Sequence, residues 1–282
     1  MLHVVPQVGG RLMGICHEDD ELCFINPALA GKIPLADGSD WSELCGEWTF
    51  PLWGGGKTWV APESQWPGGA PHVDLDSGAY VLRSSWITTH SMGVVLESPI
   101  CHLSGLQIER RIELFRDTMG WRVTHTVTNR GIKSCQCGAW DVLMLRRPAM
   151  VHIPLPGKLV DWREAVRPSS NKTSLSSLYE TGVIGINRGA LNVSCNYAIE
   201  FKVGVLSDRG EIHVRFNTTS TPLSYKRRTS LLKEDRYAHG HPIEVFNAPS
   251  LAYFEVESHS RLASLEPGAA VMMIVDEELV LD

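Results

Sequence analysis

No stretch of this 282-residue chain approaches the roughly 20 consecutive apolar residues of a bilayer-spanning helix, which argues against membrane insertion. Positive charge is not in excess either. With 26 Lys and Arg against 32 Asp and Glu, the formal net charge is −6, where a general nucleic-acid binder carries a basic face. No run of like charge is long enough to be an interaction tail. The N-terminus lacks a basic region followed by an apolar one, so no secretory leader is expected. The seven cysteines are odd in number and form no CxxC pair, and Cys135 and Cys137 alternate along one strand-like run. That excludes a disulfide framework or a cysteine zinc site as the organising feature, and the reading is a reduced, cytoplasmic protein. The Asn171, Asn192 and Asn217 sequons matter only in a glycosylating route. Gly54-Gly-Gly-Lys-Thr58 lacks Walker spacing, and neither a Rossmann fingerprint nor a nucleophile elbow is present.

Helical periodicity is scarce too: Asp161–Val166 and Leu231–Asp235 could each make one turn. What dominates is period-two alternation. Leu106, Ile108, Ile112 and Leu114 share one face of a run whose other face carries Gln107, Glu109, Arg111 and Glu113. Trp121, Val123, His125 and Val127 alternate with Arg122, Thr124, Thr126 and Thr128 after the hairpin-length connection 116–120. This is the signature of half-buried antiparallel strands. Such runs recur at 9–16, 22–26, 78–88, 92–98, 105–115, 120–128, 135–145, 183–187, 191–206, 211–217, 251–257 and 270–276. Nothing marks a linker, so residues 1–282 are expected to form a single all-β antiparallel sandwich domain.

Aromatic residues are concentrated rather than abundant. Five of the nine tryptophans fall between Trp41 and Trp66, among prolines and three consecutive glycines that suggest irregular backbone. Indoles on a loop suit the apolar side of a sugar ring. Trp53 and Trp59 are expected to expose faces to the main cleft, with Trp66 beside them. Lys57, Glu63 and Gln65 would serve hydroxyl groups. The structural alternative is a loop whose indoles plug one end of the core.

Several phrases, in order, then carry a resemblance. These are Gly9-Gly-Arg-Leu12, Gly54-Gly-Gly-Lys-Thr-Trp-Val-Ala-Pro-Glu63, Gly105-Leu-Gln-Ile-Glu-Arg-Arg-Ile-Glu-Leu114, Val123-Thr-His-Thr-Val-Thr-Asn-Arg-Gly131, Ala139-Trp-Asp-Val142, Phe254-Glu-Val-Glu257 and Leu265-Glu-Pro-Gly268. Together they resemble the galactose mutarotase-like proteins of the aldose 1-epimerase superfamily, nearest to a branch of unknown function. The resemblance implies a β-supersandwich, a small sugar or sugar-like ligand on a concave sheet, and neither metal nor organic cofactor. It also implies a C-terminal carboxylate as base, here Glu255 or Glu257, which share one face of a strand. The family's strand histidine is missing: its place reads Cys137-Gly-Ala-Trp-Asp141. Ordinary aldose mutarotation is thereby put in doubt.

The partner acid is therefore sought elsewhere. Asp141 sits among apolar residues, where a carboxylate is either functional or bonded to an arginine such as Arg146. His125 shares an apolar face and could equally be a satisfied core residue. His239 and His241 could supply an acid or hold a metal, but a third ligand is not evident, so no metal site is expected. Trp140, Arg111 and His241 complete the candidate ligand contacts. The leading expectation is cofactor-free acid–base proton transfer of the epimerase or isomerase type. A non-catalytic carbohydrate-binding protein is the alternative, and recruitment to a cyclisation or isomerisation in secondary metabolism a further one. Ligand identity and oligomeric state stay open.

Overall fold

The computed structural model describes residues 1–35, 38–157, 161–169, 173–217, 219–232 and 235–281. The Asn171 sequon, and Lys233 and Glu234 of the expected second turn, lie outside the described residues. Two large antiparallel sheets stack face to face. The first runs Leu2–Val5, Arg11–His17, Gly56–Ala61, Cys135–Arg146, Tyr253–His259, Ile243–Asn247, Phe201–Val205, Val166–Pro168. The second runs Ile184–Asn187, Ala190–Cys195, Ala149–Pro154, Glu211–Phe216, Leu223–Thr229, Ala270–Leu281, Gly120–Asn129, Leu106–Phe115, Ser91–Glu97, Val81–Ile87. None of the helices is long and apolar enough to cross a membrane among the described residues.

The alternating residues fill the space between the sheets. Leu143, Leu145, Val203, Val205, Val245 and Val256 of the first sheet meet Val123, Val151, Val193, Ile212, Val214 and Leu279 of the second in one buried cluster. Burying each such aliphatic side chain stabilises the fold by about 1.5–3 kcal/mol before conformational entropy is counted.

Two expectations are corrected here, and a third is narrowed. The 191–206 run is two strands in different sheets, Ala190–Cys195 and Phe201–Val205, because the chain crosses the sandwich between them. The expected turn at 161–166 is a short 3-10 turn, Trp162–Glu164. Most consequentially, the tryptophan-rich segment is not all loop. Gly54 and Gly55 turn the chain at positive φ, where a Cβ on Gly54 would fall 2.1 Å from the Phe24 carbonyl oxygen. From the third glycine onward, Gly56–Ala61 is a strand inside the first sheet, hydrogen-bonded to Arg11–His17 and Cys135–Arg146. Lys57, Trp59 and Ala61 share its face away from the core, while Thr58 and Val60 point inward.

Candidate functional site

Register lines up a polar row across the outer face of the first sheet. Lys57 pairs with Val142, Val142 with Glu257, Glu257 with Glu244, and Glu244 with Gly204. One row along, Trp59 faces Trp140 and Trp140 faces His259. On the other side, Glu255 faces Phe246, which faces Lys202. Period-two alternation therefore places Lys57, Trp59, Trp140, Lys202, Glu244, Glu255, Glu257 and His259 on one surface.

These groups are tightly connected. The Lys202 ammonium lies 3.0 Å from an oxygen of Glu244 and 3.0 Å from one of Glu257. Trp140 donates its indole N–H to Glu257 at 2.7 Å, and Lys57 pairs with Glu255 at 3.4 Å. Glu244 accepts from Ser169 Oγ at 2.6 Å and gathers three imidazoles: His241 Nε2 at 2.6 Å, His259 Nε2 at 3.0 Å and His239 Nδ1 at 3.1 Å. Rings close the cluster. His259 stacks on Trp140 at 5.3 Å, His239 meets Trp140 edge-on at 4.8 Å, and Trp66 stacks on it at 5.6 Å. Lys57 sits 3.9 Å above the Trp59 ring and Lys202 4.6 Å from the Trp140 ring.

No protein-family model and no curated protein matches the sequence. Solved structures do match along the whole chain. A galactose mutarotase-like protein from Lactobacillus casei ATCC 334 superposes with a TM-score of 0.60 at 10% identity, over 99% of this chain and 96% of its own. One from Clostridium acetobutylicum gives 0.60 at 11%, over 100% and 92%. The fold is the galactose mutarotase-like one. A proposed aldose 1-epimerase from Escherichia coli K12 gives 0.60 at 11% identity, over 100% and 96%.

On this scaffold the two cross-strand carboxyls are pushed in opposite directions. Burial pushes the Glu257 carboxyl well above the ordinary range; Lys202 opposes that, and the charges of Glu244 and Glu255 reinforce it. Burial acts on Glu244 in the same direction, but Lys202 and the three histidine hydrogen bonds override it and hold Glu244 well below. Burial lowers His259 to about 4 despite Glu244 beside it. It likewise lowers Lys57, against the pull of Glu255. Burial would lower Lys202 too, yet Glu257 and Glu244 raise it, so it stays charged.

Of the residues singled out from sequence, the structure brings Lys57, Trp59, Trp66, Trp140, His239, His241, Glu255 and Glu257 together. The expected open indole faces are corrected. Trp53 is 2% exposed, packs on Val8, Leu29 and Leu44, and donates to Ser77 Oγ at 2.9 Å. Trp59 is 6% exposed and donates to Asp76 at 2.6 Å, its indole enclosed by Phe50, Trp66 and Trp140. Trp66 is the half-buried member, and with Gln65 it borders a cleft of ≈ 380 Å³.

Asp141 and His125 lie on the opposite side of the sheet. Asp141 is cross-strand partner of Ser258, points between the sheets and pairs with Arg227, not Arg146. His125 belongs to the second sheet and bonds Thr58 Oγ1 at 2.7 Å. Neither can share a ligand with Glu257. Arg111 covers Trp86 on the second sheet, and Glu63 is an exposed residue of a short turn.

Lys202, Glu244 and His259 are site residues that the sequence reading missed. One signal was available: His259 continues the Glu255, Glu257 alternation on the same strand face.

Proposed function

We propose that the polar face of the first sheet binds a sugar or sugar-like polyhydroxylated compound and moves protons on it, in a reaction of the epimerase or isomerase class. The fold of its structural neighbours supports the ligand class. The observation that carries the chemistry is the cross-strand pair Glu257 and Glu244 bridged by Lys202, whose surroundings push the two carboxyls in opposite directions, as neighbouring acid and base groups require. Glu257, whose carboxyl burial pushes up, is the acid. Glu244 holds His239 through its Nδ1–H, which leaves Nε2 as a lone pair without a partner among the described residues. That nitrogen is the base, so the roles reverse those expected from the resemblance. Lys57 and Glu255 bind hydroxyl groups, and Trp66 with Trp140 forms the apolar wall.

Carbohydrate binding without turnover is the second reading, favoured by the complete burial of Glu257, 0% exposed. A thermal-shift screen of sugars, uronates and sugar phosphates identifies ligands, since specific binding raises apparent stability. Anomer or epimer exchange is then followed by NMR. Glu257→Gln and His239→Asn should each lower the exchange rate by about 10²–10⁴-fold while ligand still binds. Binding with no exchange in the parent protein, or exchange untouched by both substitutions, refutes the proton-transfer reading and leaves the binding one.

A further inference from the structure

We propose that His239, Glu244 and His259, with His241 at the other carboxylate oxygen, form a binding site for one divalent transition-metal ion. The expectation of no metal rested on the lack of a third ligand beside His239 and His241. Cross-strand packing supplies two: Glu244 from Ile243–Asn247 and His259 from Tyr253–His259.

The ligating atoms of His239, Glu244 and His259 all lie within 4.8 Å of one another. Both histidine nitrogens approach the same oxygen, Oε2, at 3.1 and 3.0 Å. Atoms about 2.0–2.1 Å from a tetrahedral ion lie roughly 3.3 Å apart, so small side-chain shifts convert these contacts into a coordination shell. Nitrogen-rich sites with one carboxylate suit zinc and its neighbours rather than magnesium or calcium.

Proton bookkeeping permits the change. The ion takes the nitrogen facing Glu244, and the ring proton sits on the other one. In His239 and His259 those other nitrogens, Nε2 and Nδ1, are buried with no donor among the described residues that would forbid it. Lys202 is the competing cation, and its 3.0 Å contact with Glu257 does not depend on Glu244. The backbone is shaped for the ring set: a Cβ at residue 204 would lie 2.2 Å from the His241 imidazole. An ion here ties the turn carrying His239 and His241 to the two central strands. At His239 the ion and the free base are alternatives, so the two readings describe different loaded states of one face. Metal content tests this one on ligand-free protein.

The experiment is calorimetric titration of chelator-treated, full-length protein with Zn²⁺, and separately with Mg²⁺. One Zn²⁺ per chain with micromolar or tighter affinity is expected, with no response to Mg²⁺. Glu244→Gln and His259→Gln should each weaken Zn²⁺ by about 100-fold or more, since even residues behind a metal ligand cost 10–100-fold. Cys16→Ser, in the separate His3–Cys16–Glu21 cluster, should leave this binding unchanged. Should the substituted chains fail to fold, Co²⁺ added to the parent protein must give d–d absorption without a thiolate charge-transfer band. Absence of stoichiometric Zn²⁺ binding, its survival in both ligand variants, its loss in Cys16→Ser, or a thiolate band overturns the proposal.

Discussion

Glu244 and Glu257 face each other across adjacent antiparallel strands, and one ammonium, that of Lys202, lies 3.0 Å from each. Two buried carboxylates side by side would repel strongly. The lysine between them makes the pair tolerable. Removing one partner of a buried ionic set leaves charge uncompensated, which costs about 3–5 kcal/mol. Lys202→Met should lower unfolding free energy by that amount in urea titration. A loss below about 1 kcal/mol would mean that Lys202 does not hold the pair.

Gly204 is fixed by what lies over it. The strand Phe201–Val205 brings residue 204 beneath the His241 ring, where an added Cβ would sit 2.2–2.4 Å from three ring atoms. Gly204→Ala should push His241 away from Glu244 and destabilise the fold by about 1–3 kcal/mol, as overpacking does. Gly185→Ala, with nothing within 4 Å of its added Cβ, is the comparison and should be neutral or slightly stabilising. Equal effects at the two positions would contradict the close approach.

Alternation made the fold legible where one strand face is buried and the other is not, as in Leu106–Phe115 and Gly120–Asn129. It failed at Gly56–Ala61, which is buried at every position and so carries no period. The same principle limited the site. Glu255 and Glu257 stood out because the family resemblance places a base carboxylate ahead of the Leu265-Glu-Pro-Gly268 turn. Lys202, alternating with Phe201, Val203 and Val205, reads like any solvated residue. Sequence shows that such a side chain leaves the core, not whether water or another polar group meets it.

Trp53 and Trp66 separate structure from binding. Trp53 is enclosed and bonded to Ser77, so Trp53→Ala should cost about 3–5 kcal/mol of stability. Trp66 is half-buried over Trp140, and Trp66→Ala should chiefly weaken any ligand that stacks there. An aromatic contact contributes about 0.5–1.5 kcal/mol beyond its buried area, so affinity should fall by up to about tenfold. Unchanged affinity in Trp66→Ala would remove it from the ligand wall.

His125 sets an acid limit on stability. It is fully buried, and burial together with the positive charges of Arg110 and Arg227 pushes its pKa well below 6.5. The unfolded chain therefore binds a proton near pH 6.5 that the folded chain refuses. Below that pH the unfolded state holds more protons, so stability falls as pH falls and is fully present only above about 6.5. His125→Gln can keep a polar contact to Thr58 but cannot take up that proton. Its stability should be lower than the parent's at pH 8, with a shallower decline between pH 6.5 and 4.5, measured by urea unfolding at each pH. A decline as steep as the parent's would show that other groups set the acid limb.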